Sequence, residues 1–190
     1  MNGVDLIRDR LAGVEAVHRD AVNDAAGLDW ATPVLPRTSP IGLTLWHVPR
    51  TIDWLVNASI RALPEAADDP AFADLPSPDR FGFATGLTPS EAVEAAAQVA
   101  GAGLLGYAAA VSRSADEWLA SLTDEDLDAK VPEFDERQRS RPSYCTPAAH
   151  AEVSHLGNLT IGQLLARPTM AHLYLHLGEV KLLIAHATGK

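Results

Sequence analysis

The chain has 190 residues, of which 47% are hydrophobic and 21% are charged, as in ordinary globular proteins with one sizeable core. We therefore expect a single domain over residues 1–190. The net charge is −10 and the 15 Lys and Arg residues are scattered, whereas phosphate backbones and anionic membranes attract clustered cations. These values argue against nucleic acid and against a membrane surface as partners.

The expected location is the cytoplasm. Cys145 is the single cysteine, so no intramolecular disulfide can form. The N-terminal stretch is charged throughout and lacks the apolar core of a signal peptide. No window reaches the roughly 18 apolar residues that a membrane span requires.

The first part of the chain predicts two long helices. Apolar residues recur at intervals of three and four over residues 3–26, which is typical of an amphipathic helix. Ser39 and Pro40 have the form of an N-cap followed by proline at the first helical position. A second helix should run from there to about Ala62.

Pro49 interrupts this second helix. It cannot donate a backbone hydrogen bond to Leu45, so a kink is expected. The kink either changes the direction of the His47 ring, two residues earlier, or is tolerated because the helix is well packed. The sequence leaves both alternatives open.

Residues 64–87 form a long connection whose aromatic residues predict that it packs onto the helices. Thr88 and Glu91 then have the spacing of a capping box and predict a third helix to about Leu122. A short capped turn should follow over residues 122–130. The aromatic residues of the connection are Phe72, Phe81 and Phe83.

The last part of the chain predicts an irregular stretch and two further helices. Residues 131–144 are polar and irregular, and Thr146 with Pro147 predicts a short helix that carries His150. The final long helix should run from Thr169 to Ala187. Four long helices, one or two short ones and no strand pattern predict an all-α four-helix bundle.

Two histidines of the final helix, His172 and His176, are the first candidate metal ligands. Residues four apart leave the same helix face with Cβ atoms roughly 6 Å apart, a spacing that suits one divalent ion. The alternative is two histidines that are hydrogen-bonded to neighbours. Leu173 stands where H-E-x-x-H peptidases have their general base, which argues against a peptidase.

A third ligand is needed, because such sites use three or four protein ligands. His47 is the preferred candidate, since it lies in the middle of a long amphipathic helix. His150 and His155 are alternatives near loops. The two remaining histidines are less suitable, one beside charged residues and one too far along the final helix: His18 and His186.

The two histidine elements, LWHVP around His47 and HLYLHLGEV from His172, resemble the DinB-like helical bundle family. The segments LTDEDLDAKV and TIGQLLA resemble its corresponding stretches. The resemblance implies an up-down-down-up four-helix bundle, often a homodimer, with His47, His172 and His176 as metal ligands. Pro49 departs from the family pattern. The related mycothiol-dependent maleylpyruvate isomerases most often have glutamate where His172 stands, so their activity is not carried over.

Two functions follow as hypotheses. In the first, one divalent ion, zinc or nickel, activates a low-molecular-weight thiol that attacks a small electrophile, as in thiol-dependent transferases and isomerases. In the second, the bundle is a non-catalytic binding or dimerisation module with a structural metal or histidine network. The sequence assigns no catalytic residue.

Two charged residues near the histidines have alternative roles. Glu179 either accepts a proton from a ligand's free ring nitrogen or pairs with Lys181 or Arg50. Arg50 either pairs with Asp53 on the same helix or faces the mouth of the site and binds a substrate carboxylate.

Overall fold

A computed structural model describes residues 1–189, and within this range the secondary structure is helical. An isolated bridge between Lys130 and Thr160 is its one β feature in that range. The predicted all-α class is therefore confirmed. The α-helices are α1 (Gly3–Asp24), α2 (Ile41–Ile52), α3 (Pro78–Phe81), α4 (Pro89–Ala97), α5 (Gly101–Leu119), α6 (Phe134–Arg137), α7 (Pro147–Val153), α8 (Ile161–Ala166) and α9 (His172–Thr188).

Two of these helices are extended by π-helical segments. Asp53–Ile60 continues α2, and Arg167–Ala171 leads directly into α9. Each of α1 and α2 packs against both α5 and α9, so that the apolar faces of the four share one core. This packing brings the middle of α2 beside the first turns of α9, where the candidate ligands lie.

The predicted third helix is broken, and this part of the prediction was wrong. It consists of α4 and α5, separated at residues 98–100 and bent by 94°. Ala100 is extended, with φ −110° and ψ 132°, and α5 begins at Gly101, a residue of low helix propensity. The number of short helices was also underestimated, since α3, α6, α7 and α8 all have seven residues or fewer.

Residues 1–189 contain no single helix that is long and apolar enough to cross a membrane. The pair α4 and α5 reaches that length and composition only together, across its bend.

The start of α2 also differs from the prediction. The residue that precedes the helix is Pro40, with no side-chain hydrogen bond to the first turn, and α2 begins at Ile41. Ser39 is therefore not the cap. The capping box of α4, with Thr88 and Glu91, is confirmed.

His18 resolves the question of how α2 tolerates Pro49. Pro49 lies inside α2 and leaves the carbonyl of Leu45 without its helical donor. The Nε2 atom of buried His18, on α1, lies 2.9 Å from that carbonyl oxygen and donates the missing hydrogen bond. Burial lowers the pKa of His18 to about 4, although this hydrogen bond opposes the shift. His18 is therefore neutral at neutral pH and replaces a backbone donor.

The long connection before α4 packs onto the helices, as predicted. Phe81 and Phe83 are buried, and Phe72 is half-buried against the core. Glu65, at the start of the connection, is also buried. The connection therefore forms one wall of the region around α2.

Candidate metal centre

Three histidines from two helices meet at one point. His47 comes from α2, and His172 and His176 come from the first two turns of α9. The Nε2 atom of His172 lies 3.2 Å from that of His47 and 3.1 Å from that of His176. One ligand atom of each ring lies within 4.8 Å of the others. The three residues that the sequence selected thus lie close enough to bind one metal ion.

The donor set fits a divalent cation. In a tetrahedral site with metal–nitrogen bonds of about 2.0–2.1 Å, two nitrogens are about 3.3 Å apart, close to the separations found here. The ring planes are nearly perpendicular, at 78° to 87°. Lone pairs that converge at this distance repel one another unless a cation or a proton lies between them.

The orientation of His47 is set by a backbone carbonyl. Its Nδ1 atom lies 2.5 Å from the carbonyl oxygen of Phe83, which can only accept, so Nδ1 carries the proton. The lone pair is thereby left on Nε2, toward the other histidines. Burial, together with the charge of His176, lowers the pKa of His47 to about 3. His47 is thus a neutral ligand that needs no deprotonation.

The two histidines of α9 are half-buried. Burial, followed by the neighbouring His176, lowers the pKa of His172, and Glu152 opposes this shift. The Nδ1 atom of His176 lies 3.4 Å from a carboxylate oxygen of Glu179. Of the alternatives for Glu179, the structure favours the one in which its carboxylate orients a histidine ring.

Arg50 does not face the mouth of the site. Its side chain is fully buried and donates to Asp53 and Glu65 at 3.1 Å each, so the predicted pairing with Asp53 is the correct alternative. It also donates to the hydroxyls of Tyr107 at 3.0 Å and Tyr144 at 2.7 Å. Every one of these partners is buried, so the cluster is a charged core beneath the site.

This cluster is connected to the ligand His47 through two consecutive carbonyls. Arg50 Nε donates to Gly82 O at 3.3 Å, and the next carbonyl, that of Phe83, accepts from His47. Phe83 also stacks on Trp54, with ring centroids 4.4 Å apart. The buried arginine therefore fixes the backbone that orients the metal-facing ring.

A cavity of about 440 Å³ opens beside the three histidines, which are part of its wall. Its apolar wall comes from α2 and its π-helical extension, from the connection, and from the end of α7 and the segment after it: Leu43, Trp54, Phe83, Val153 and Leu156. Its other polar side chains include Thr44, Thr51, Glu152, His155 and Arg167. The histidines are thus accessible to a small molecule from one side.

The remaining histidines do not join the cluster. His18 is hydrogen-bonded to the Leu45 carbonyl, and His150 and His186 are exposed. His155 lies beyond the end of α7 and lines the cavity without reaching the cluster. The sequence alternatives that used His150 or His155 as the third ligand are therefore not supported.

Sequence reasoning missed three contributors to the site. Phe83 acts through its backbone carbonyl, which accepts from His47, and the residue type at position 83 does not predict such a contact. Thr51, whose hydroxyl lies 3.3 Å from Nε2 of His47, follows that histidine by one helical turn and could have been found by spacing. Arg167 lines the cavity five residues before His172, ahead of the predicted start of the final helix at Thr169.

Comparisons with protein-family models, with curated proteins and with solved structures found no match. The class of this protein is therefore defined by its fold and site: an all-α protein with three histidines that converge beside a small-molecule cavity.

Proposed function

We propose that the chain is a divalent-metal-binding protein of the DinB-like type that uses its metal to activate a thiol. His47, His172 and His176 would hold one ion, zinc or nickel, since imidazole ligands suit both. The observation that carries the proposal is the open cavity beside three converging ring nitrogens. Three protein ligands leave a coordination position for a substrate, whereas a structural site is closed by four.

The proposed reaction joins a small thiol to an electrophile. A bound divalent ion supplies Lewis acidity, which lowers the pKa of a thiol that ligates it. The thiol loses its proton, its sulfur forms a bond to carbon, and any leaving group departs with the electron pair. Glu152 and His155, which line the cavity, would take up the proton.

The chain's other residues would support this chemistry by position and charge. The three ligands would be neutral imidazoles and would leave the charge of an ion uncompensated, which would favour an anionic thiol group in the cavity. The Phe83 carbonyl holds His47 in the tautomer that presents Nε2. The apolar wall of the cavity limits competing water.

The proposed resemblance to the DinB-like family also implies an up-down-down-up order of the four long helices. The packing of α1 and α2 against both α5 and α9 supports that arrangement. A second candidate function, a dimerisation module with a structural metal, is favoured by two exposed leucines one heptad apart on α9. Leu175 and Leu182 are each 74% exposed.

The proposed function is tested with cobalt(II)-loaded protein and mercaptoethanol. Sulfur ligation should give a sulfur-to-cobalt absorption band in the near ultraviolet, and the loaded protein should accelerate conjugation of the thiol to chlorodinitrobenzene. The variant His176→Ala should lose both, by more than the roughly 10–100-fold that loss of an outer hydrogen-bond partner costs. His186→Ala, a matched change on the same helix outside the cluster, should retain both.

Metal binding without the absorption band would contradict a thiol-activating role. If the same protein were also a concentration-dependent dimer, the dimerisation module would become the better description.

A further inference from the structure

Within residues 1–189, Arg167 is the one arginine that lines the cavity beside the histidines. Its side chain is exposed, and it makes no ion pair with any residue in the range 1–189. The guanidinium of Arg50, by contrast, is paired with buried carboxylates and hydrogen-bonded to buried tyrosines. The guanidinium of Arg167 is therefore available to a ligand in the cavity.

The charges around the cavity favour an anion. Among the described residues that line it there is one carboxylate, Glu152, which offsets the charge of Arg167. The three histidines are neutral ligands, so an ion held by them adds two positive charges that nothing in the lining compensates. An anionic ligand would compensate the charge of the ion, and one of its anionic groups could pair with the guanidinium of Arg167.

The backbone positions of Arg167 and His172 are set by one continuous helical segment. Arg167 begins the π-helix that runs into α9, and His172 is the first residue of α9. At the α-helical rise of about 1.5 Å per residue, five residues span about 7.5 Å along the axis. A small molecule can bridge that distance, and the apolar wall between Leu43 and Leu156 would contact its hydrocarbon part.

We propose that the cavity binds a small organic anion whose carboxylate, or a similar group, lies on Arg167. The inference rests on the proposed function, because it assumes that the histidines hold an ion. Guanidinium groups bind carboxylates through two parallel hydrogen bonds, which gives both affinity and orientation. Arg167 is then the residue that selects charged substrates over neutral ones of the same shape.

The first experiment compares mercaptopropionate with its neutral isostere mercaptopropionamide, titrated into cobalt-loaded protein and followed by the sulfur-to-cobalt band. Both probes place sulfur at the ion, so their difference reports the other end of the molecule. The wild type should bind the acid about fivefold more tightly, as expected for a solvent-exposed ion pair. Arg167→Gln should abolish the preference, and Arg19→Gln, a matched change outside the cavity, should keep it.

A second titration identifies which substrate carries the charge. Phenylpropionate and phenylpropionamide, which lack sulfur, are titrated calorimetrically into zinc-loaded wild type and Arg167→Gln. A preference for the acid only among the thiols assigns the anion to the thiol, and a preference only among the sulfur-free probes assigns it to the electrophile.

Equal affinities for acid and amide in both titrations, or a preference that persists in Arg167→Gln, would overturn the inference. A sulfur-to-cobalt band without any preference would refute the anion site alone. Absence of the band with every thiol would refute the proposed function, while the sulfur-free probes would still test Arg167.

Discussion

Replacing Arg50 with methionine should destabilise the protein by about 3–5 kcal/mol, a large fraction of the stability of an ordinary domain. The substitution keeps the apolar stem and removes the charge. It leaves the buried carboxylate of Asp53 without the cation that it contacts at 3.1 Å, and it leaves buried Glu65 with Arg141, at 2.8 Å, as its remaining cation. The measurement is the free energy of unfolding from urea denaturation, and a variant that fails to fold is the extreme of the same result.

The matched control is Arg8→Met. Arg8 pairs with Asp116 at 2.7 Å on the surface, where both side chains are partly exposed, so the free energy of unfolding should change little. Similar losses in the two variants would contradict the claim that the Arg50 cluster is a central element of the core.

His18 should make the metal-free protein sensitive to mild acid. The pKa of His18 is lowered from 6.5 to about 4, so below pH 6.5 the unfolded chain binds a proton that the folded chain does not. The contribution of neutral His18 to the free energy of unfolding is complete above pH 6.5 and is lost as the pH falls toward 4. Between pH 7 and pH 5 the free energy of unfolding of wild type should fall by roughly 2 kcal/mol more than that of His18→Gln, whose amide can still donate to Leu45. Urea denaturation at each pH measures this difference.

The role of His18 as a substitute donor is checked in the background of Pro49→Ala. There the alanine N–H can donate to the Leu45 carbonyl, so His18→Leu should cost less than in the presence of proline. Equal costs in the two backgrounds, or parallel pH profiles for wild type and His18→Gln, would contradict this account of α2.

The histidine cluster could be predicted because helix geometry determines most of it. The four-residue spacing places His172 and His176 on one face, and α2 is long enough for His47 to reach them from its middle. The capping box of Thr88 likewise marks the start of α4 by a local rule.

Other features depend on residues far apart in the chain. Arg50 is buried because Glu65 and Tyr144 approach it from separate segments, and nothing local to Arg50 indicates those partners. The role of Phe83 is carried by a carbonyl that every residue possesses. The break between α4 and α5 lies in an Ala- and Gly-rich stretch whose periodicity suits a continuous helix equally well.

The most direct test of the account is the number of metal ions per chain, measured by native mass spectrometry after incubation with zinc or nickel and removal of the excess. We predict about one ion per chain in wild type and in the control His155→Ala, whose ring lines the cavity outside the cluster. His47→Ala, His172→Ala and His176→Ala should each lose it. No metal in wild type, or an ion retained in the cluster variants, would contradict the metal centre.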